Sequence, residues 1–355
     1  MLVVDMHLDI AMNALLWNRD QKLSVAQTRE LERDMPQKGR ARGAVAFPDM
    51  RQGDVAIASA TVIARVKKHG PAGGIDYRDH DIAYAMAQGQ LAYYRQLQSS
   101  GQVRILTDVD ALDEHVRGWV SPVEPSRPLG LLISMEGADP IVSPDQVPQW
   151  WNDGLRIVSL AHYGPSKYAM GTGVEGPLTA DGPPLLAAME QAGMILDVTH
   201  LSDESFWQAT ELFSGPMLAS HSNCRSLVPG DRQLTDDMIK LLIQRGAVIG
   251  AVMDAWMLYP GWIKGETSPE VVSLDDVVNH IDRVCQLAGN SQHAAIGTDL
   301  DGGYGTEQTP GDLDTIADLQ KLPDLLRKRG YQESDVEGIM HGNWLRLLHG
   351  AWGRG

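Results

Sequence analysis

The chain has 355 residues, enough for one large α/β domain or two ordinary ones, and enough to bury a sizeable core. Asp and Glu outnumber Lys and Arg by 46 to 30, a formal charge of -16 that argues against nucleic acid or an anionic membrane as the main partner, since both are polyanions. Cys224 and Cys285 are the only cysteines, no window approaches the roughly 18 apolar residues of a membrane-spanning helix, and Asp5, His7 and Asp9 interrupt the opening apolar run, so that no signal-peptide pattern is readable; a cytoplasmic protein with reduced thiols is expected.

The first element, Val3 to Leu8, is an apolar run that carries His7 into Asp9. On a strand, positions i and i+2 share a face, so these two side chains aim at one spot, and imidazole plus carboxylate suits a divalent metal. Ser24 to Met35 reads as a polar helix with a serine N-cap, and Arg42 to Asp49 as a second short strand running into Pro48. Asp54 to Lys68 spaces Ala, Val and Ile as a helix does, Ile82 to Gln98 and Asp110 to Trp119 read as further helices, and Val103 to Leu106 as a short strand. Ser121 to Pro128, with three prolines, is a loop.

A rhythm then sets in. Leu129 to Glu136 is a strand ending in a carboxylate, and the strands Leu155 to His162, Gly193 to His200 and Pro216 to His221 each end in histidine. Gly246 to Asp254 and Ala294 to Asp299 end in aspartate. Helical stretches at Pro184 to Gln191, Ser202 to Leu212, Thr235 to Gln244 and Leu274 to Leu287 lie between them, and Asp335 to His349 reads as a closing helix. Eight buried strands, starting near positions 3, 44, 131, 156, 194, 217, 247 and 294, point to a (β/α)8 barrel of the TIM type over 1–355 as a single domain. A long helical insertion between strands 2 and 3, about 53–128, and a C-terminal helix, about 335–350, complete the expected organisation. An open doubly wound sheet is the rival, but no Gly-x-Gly-x-x-Gly follows the first strand.

Four of eleven histidines end strands: His7, His162, His200 and His221. With Asp9 and Glu136 they converge on the mouth of such a barrel, where catalytic groups sit. This donor set exceeds the needs of one catalytic zinc and suggests two metals sharing a carboxylate. The other seven histidines read as packing or surface residues, and Cys224, three residues after His221, as a small buried apolar side chain.

The motifs Asp5-Met-His7-Leu-Asp9, Met135-Glu136-Gly137, Leu160-Ala-His162, Gly176-Pro-Leu-Thr179, Asp197-Val-Thr-His200-Leu-Ser202, Ser220-His221-Ser222, Arg232-Gln-Leu-Thr235, Gly297-Thr-Asp299-Leu-Asp301-Gly302 and Gly342-Asn343 run nearly the whole chain. In this order the sequence resembles the renal (membrane) dipeptidase family, zinc dipeptidases of the amidohydrolase-like barrels. The resemblance implies a dipeptidase with two Zn2+ per chain, bridged by Glu136 and a hydroxide or water. It implies that His7 and Asp9 hold one zinc and that His200 and His221 hold the other. It places His162 near the scissile carbonyl, Arg232 on the substrate's terminal carboxylate and Asp299 in proton transfer. The expected substrates are dipeptides with a free C-terminus, L,D-dipeptides among them, and β-lactams are worth testing. A homodimer is implied, with no nucleic-acid or membrane partner. Another barrel hydrolase (acting on cyclic amides, bases or phosphoesters) and a non-catalytic metal-binding scaffold are the alternatives. Two segments depart from the family's mammalian members or stand out: the loop Gly164 to Gly176, and Asp254 to Trp262, which reads as an aromatic lid or as packing.

Overall fold

In the computed structural model, which describes residues 1–71, 73–120 and 127–353, eight parallel strands form one barrel sheet. They are β1 (Val3–Leu8), β2 (Val55–Val62), β3 (Leu129–Glu136), β4 (Leu155–Ser159), β5 (Ile195–Asp197), β6 (Met217–Leu218), β7 (Ile249–Ala251) and β8 (Ala294–Ile296). Neighbouring strands pair in sequence order, and β8 returns to β1 through Asp5 and Ile296. Between β6 and β7 the ring closes on a bridge of Ala219 with Ile249, backed by the bonds Ala219 N to Val248 O and Gly250 N to Ala219 O. That closure needs glycine. A Cβ on Gly250 or Gly297 would lie 2.0 or 1.7 Å from the Ser220 carbonyl oxygen.

One expected strand was misplaced. Residues 42–46 form no strand, and Phe47–Gln52 is a helix. The amides of Ala44 and Val45 donate to the Asp301 carboxylate instead of to a neighbouring strand. The second barrel strand is Val55–Val62, which the spacing of Ala, Val and Ile had assigned to a helix. A barrel strand covered on both faces has no two-residue alternation, and its alanines imitate a helix. Ser59 and Thr61, two apart, both hydrogen-bond Ser134 of β3 and so mark the interior face. The segment between β2 and β3 therefore begins at 63 and not near 53. It contains the helices His80–Ser99 and Val109–Val120 and a short strand, Val103–Ile105, that pairs with the start of β3. Most of the expected proline-rich loop, residues 121–126, lies outside the described residues.

The helix expected over Ser24 to Met35 ends early, at Val25–Leu31 with Ser24 as N-cap; Gly182–Ala192, Asp203–Leu212, Asp236–Gln244 and Leu274–Ala288 sit where the periodicity places them, and Ile10–Leu16, Val147–Asn152 and Leu322–Lys328 are helices it does not indicate. The closing segment is Glu333–Glu337, one wide turn at Gly338–Gly342, and Asn343–Trp352. Trp344 anchors it, donating from Nε1 to the Ile296 carbonyl of β8. Among the described residues no helix is long and apolar enough to cross a membrane.

Candidate metal centre and substrate pocket

The functional side chains stand at the C-terminal ends of the strands. His7 lies in β1 and Asp9 just beyond it, while Glu136 is the last residue of β3. From β4 onward one spacing repeats: His162, His200, His221, Asp254 and Asp299 each follow the last strand residue (159, 197, 218, 251 and 296) by three. Because the strands are parallel and in a ring, this common offset delivers all five to one mouth.

Glu136 is at the centre. Its Oε1 lies 3.1 Å from His200 Nε2, 3.3 Å from His221 Nε2 and 3.7 Å from His162 Nε2, while its Oε2 lies 3.6 Å from His7 Nε2. His7 Nε2 is also 3.8 Å from Asp299 Oδ1. The donor atoms of His7, Asp9 and Glu136 lie within 4.8 Å of one another, as do those of Glu136, His162 and His200, and those of His7, His221 and Asp299.

The outer nitrogens of His7, His200 and His221 face hydroxyls, while His162 Nδ1 has no hydrogen-bond partner. His221 Nδ1 meets Ser220 Oγ at 2.8 Å, and that hydroxyl also donates to Asp197 Oδ2 at 2.5 Å. His200 Nδ1 meets Thr172 Oγ1 at 2.9 Å, and Thr61 Oγ1 lies 3.5 Å from His7 Nδ1. Thr172 reaches its place because residues 163–172 fold back on themselves, with bridges Tyr163–Thr172 and Pro165–Met170. Both His200 (φ 70°) and Asp299 (φ 57°) occupy the left-handed region, a conformation that costs a non-glycine residue about 1 kcal/mol or more. A Cβ on Gly302 would lie 2.0 Å from Asp299 Oδ1, so the turn after β8 leaves no room for another residue there.

These residues fit divalent metal. Burial, with Arg232 and neighbouring imidazoles, holds His200 and His221 well below the usual histidine range, so both are neutral. Their Nε2 atoms nonetheless face each other at 3.3 Å, where two lone pairs repel unless a cation lies between them and Glu136. Asp9 Oδ1 and His7 Nε2 are buried without a hydrogen-bond partner. Burial lowers the His7 pKa, but Glu136, Asp9 and Asp299 around it raise it to about 10: the carboxylates there call for a positive charge, proton or metal. Asp299 is held well above the carboxylate range by burial and, against the pull of His7, by Asp9, Glu136 and Asp254. His162 is pushed down to about 4 by burial, leaving a neutral ring.

Above this floor lies a pocket of about 380 Å³, a size suited to a small molecule. Arg232, nearly buried, donates from Nη2 to the His221 carbonyl at 2.9 Å and lines the pocket. Arg65, paired with Asp76 at 2.6 Å, brings the segment after β2 onto the pocket wall, which sequence reasoning missed because that stretch was assigned to a helix. Asp254, Tyr304, Gln308 and Lys38 also line it and had been given no role. For Asp254 the signal was present, since it shares the strand-end spacing of the histidines. Within 254–262 it is Asp254 and Met257 that line the pocket, while Trp256 donates from Nε1 to Asp254 Oδ2 and Trp262 packs against the core. Asp5 bonds to Thr298 N and Oγ1 and so ties β1 to β8, and Asp301 fixes the 44–45 amides. His80, His115, His280, His293, His341 and His349 bond away from the mouth. Cys224 is buried.

A closed parallel barrel with a nitrogen and carboxylate donor set at its mouth defines the class of parallel barrels with a candidate metal site. Within it, the chain belongs to the membrane dipeptidase family (peptidase family M19), whose profile matches residues 1–351. A Klebsiella pneumoniae protein described only by its place in the pqqA 5′ region is 32% identical over 178 residues, which cover 50% of this chain and 62% of that protein. Dipeptidase aclJ of Aspergillus oryzae is 31% identical over 225 residues, 61% of this chain and 50% of that one. The matched stretches thus span only half to three fifths of these relatives. Among solved structures, a metallopeptidase of Rhodobacter sphaeroides, liganded with a phosphinate mimic of the dipeptide L-Ala-D-Ala, superposes with a TM-score of 0.80 at 21% identity over 99% of both chains, a likeness of fold.

Proposed function

We propose that this protein is a zinc-dependent dipeptidase acting on dipeptides with a free C-terminal carboxylate. The observation that carries the reading is the two-sided exposure of Glu136: Oε1 faces His200 and His221 while Oε2 faces His7, as a bridging carboxylate requires. His7 and Asp9 would hold one ion, His200 and His221 the other, and Glu136 both. Bound there, the two cations supply Lewis acidity and bring a water's pKa toward neutrality.

The chain's own groups do the rest. Arg232 offers a planar, permanently charged fork to the substrate carboxylate, and its burial keeps that interaction out of competition with water. With the carboxylate fixed, the scissile carbonyl falls by His162, whose neutral ring donates one N–H to the oxyanion that forms. Asp299, whose Oδ1 lies 3.8 Å from His7 Nε2 at the same mouth, would take the proton of the attacking water and pass it to the leaving nitrogen. The relative liganded with an L-Ala-D-Ala mimic makes L,D-dipeptides the first stereochemistry to test beside L,L. The proposed enzyme is cytoplasmic, acts without nucleic acid or membrane, and by family resemblance is a homodimer, which light scattering would test.

Chelation is expected to abolish dipeptide hydrolysis and added zinc to restore it, with about two zinc ions per chain by elemental analysis. Full activity in metal-free protein would contradict the reading.

A further inference from the structure

Of the charged side chains that line the pocket outside the metal centre, two are buried without an ion pair among the described residues. Arg232 is 4% exposed and Asp254 7%. Arg232 has its partner in the substrate carboxylate. Asp254 has only neutral donors: Gln308 Nε2 at 2.7 Å on Oδ1 and Trp256 Nε1 at 2.6 Å on Oδ2. Each oxygen keeps a free lone pair. Burying a carboxylate with no cation is costly, and burial pushes this one up to about 6.

Two lysines line the same pocket, and neither compensates Asp254 at contact distance. Lys38 Nζ donates to Gln308 Oε1 at 2.8 Å, and Lys264 Nζ lies over the Trp256 ring at 4.8 Å. Both are exposed, so their charge reaches Asp254 through solvent.

A second observation points the same way. Tyr304, on the same wall, is 2% exposed and its hydroxyl has no hydrogen-bond partner. An unmade bond of this kind costs about 1–3 kcal/mol. Burial and the charges of Asp299, Asp254, Asp301 and Asp9 keep the phenol protonated. A neutral oxygen and a carboxylate with open lone pairs, in a field set by four acids, form a seat for a cation.

We propose that Asp254, assisted by the Tyr304 hydroxyl, is the subsite for an ammonium or guanidinium group on the N-terminal residue of the substrate. This rests on the dipeptidase reading and deepens it. Arg232 and Asp254 then match the two ends of a zwitterion, carboxylate and cation, with the scissile bond between them over Glu136. The cation has two sources, the α-ammonium group or a basic side chain.

The test compares wild type with Asp254→Asn and Tyr304→Phe, zinc-loaded, on Ala-Ala, on Arg-Ala, and with propionyl-alanine (Ala-Ala without its amino group) as competitor. Asp254→Asn is expected to raise KM for Ala-Ala and Arg-Ala about tenfold or more, while the Ki of propionyl-alanine stays within about twofold. A loss confined to Arg-Ala supports the subsite and assigns it to the side chain. Tyr304→Phe removes no bond within the protein, so it should keep its thermal stability and raise the same KM values about threefold. This second variant carries the test if Asp254→Asn fails to fold. Unchanged KM values in the variants, or an equal loss of propionyl-alanine affinity, would overturn the proposal. If wild type hydrolyses no dipeptide at all, it is the dipeptidase reading that falls.

Discussion

The floor of the pocket and its wall are built differently. The floor (His7, Asp9, Glu136, His162, His200, His221, Asp299) comes from strand ends, and the imidazoles of His7, His200 and His221 have hydroxyl neighbours at Nδ1. The wall (Lys38, Arg65, Tyr304 and Gln308, with Asp254 from the end of β7) comes mostly from connecting segments, and the Tyr304 hydroxyl in it has no hydrogen-bond partner. A floor fixed by the sheet can keep one geometry while the wall varies in what it admits. On the proposed reading, chemistry belongs to the first and selectivity to the second.

The contrast can be broken in order of expected effect. Glu136→Gln removes the charge shared by both halves of the donor set, and kcat/KM for any dipeptide should fall by about 10³-fold or more, with loss of bound zinc. Retention of both ions and of activity would remove Glu136 from the centre. Next comes Arg232→Ala, which should raise KM about 10²-fold for free-carboxylate dipeptides and far less for their amides, since truncating a buried charged partner costs 2–5 kcal/mol. Equal effects on acid and amide would end the clamp assignment. Ser220→Ala breaks the Asp197–Ser220–His221 chain without touching a metal donor. Zinc affinity, read by competition with a chelator, should weaken about 10–100-fold. An unchanged affinity would mean that the hydroxyl only packs.

The smallest effect lies outside both regions. His280, on the helix Leu274–Ala288, accepts from the Cys224 amide, and burial pushes its pKa down to about 4 from 6.5. Below 6.5 the unfolded chain binds a proton that the folded one refuses, so this contribution is complete above pH 6.5 and is lost as pH falls toward 4. The loss should be about 2–3 kcal/mol over that window and absent in His280→Gln. An identical pH slope in the variant would rule out His280 as its source.

The same division explains what was legible in the sequence. A strand-end histidine after an apolar run announces itself, and the order of the motifs placed the floor residues together. Val55–Val62 did not announce itself, because a strand buried on both faces carries no alternation and its alanines suit a helix equally well. Residues 42–46 read as a strand because they are mostly apolar, yet the amides of Ala44 and Val45 belong to Asp301, 257 and 256 positions away, a partner that no local pattern records. Apart from Asp254, the wall was hidden for the same reason. Gln308, Lys38 and Asp254 become neighbours only when three separate connections meet over the barrel.

The central claim is that two metals share Glu136. Anomalous diffraction at the zinc edge on crystals of zinc-loaded protein tests it directly. Two peaks are expected, one beside His7 and Asp9 and one beside His200 and His221, with Glu136 between them. A single peak, or a pair that leaves Glu136 outside, would contradict the account.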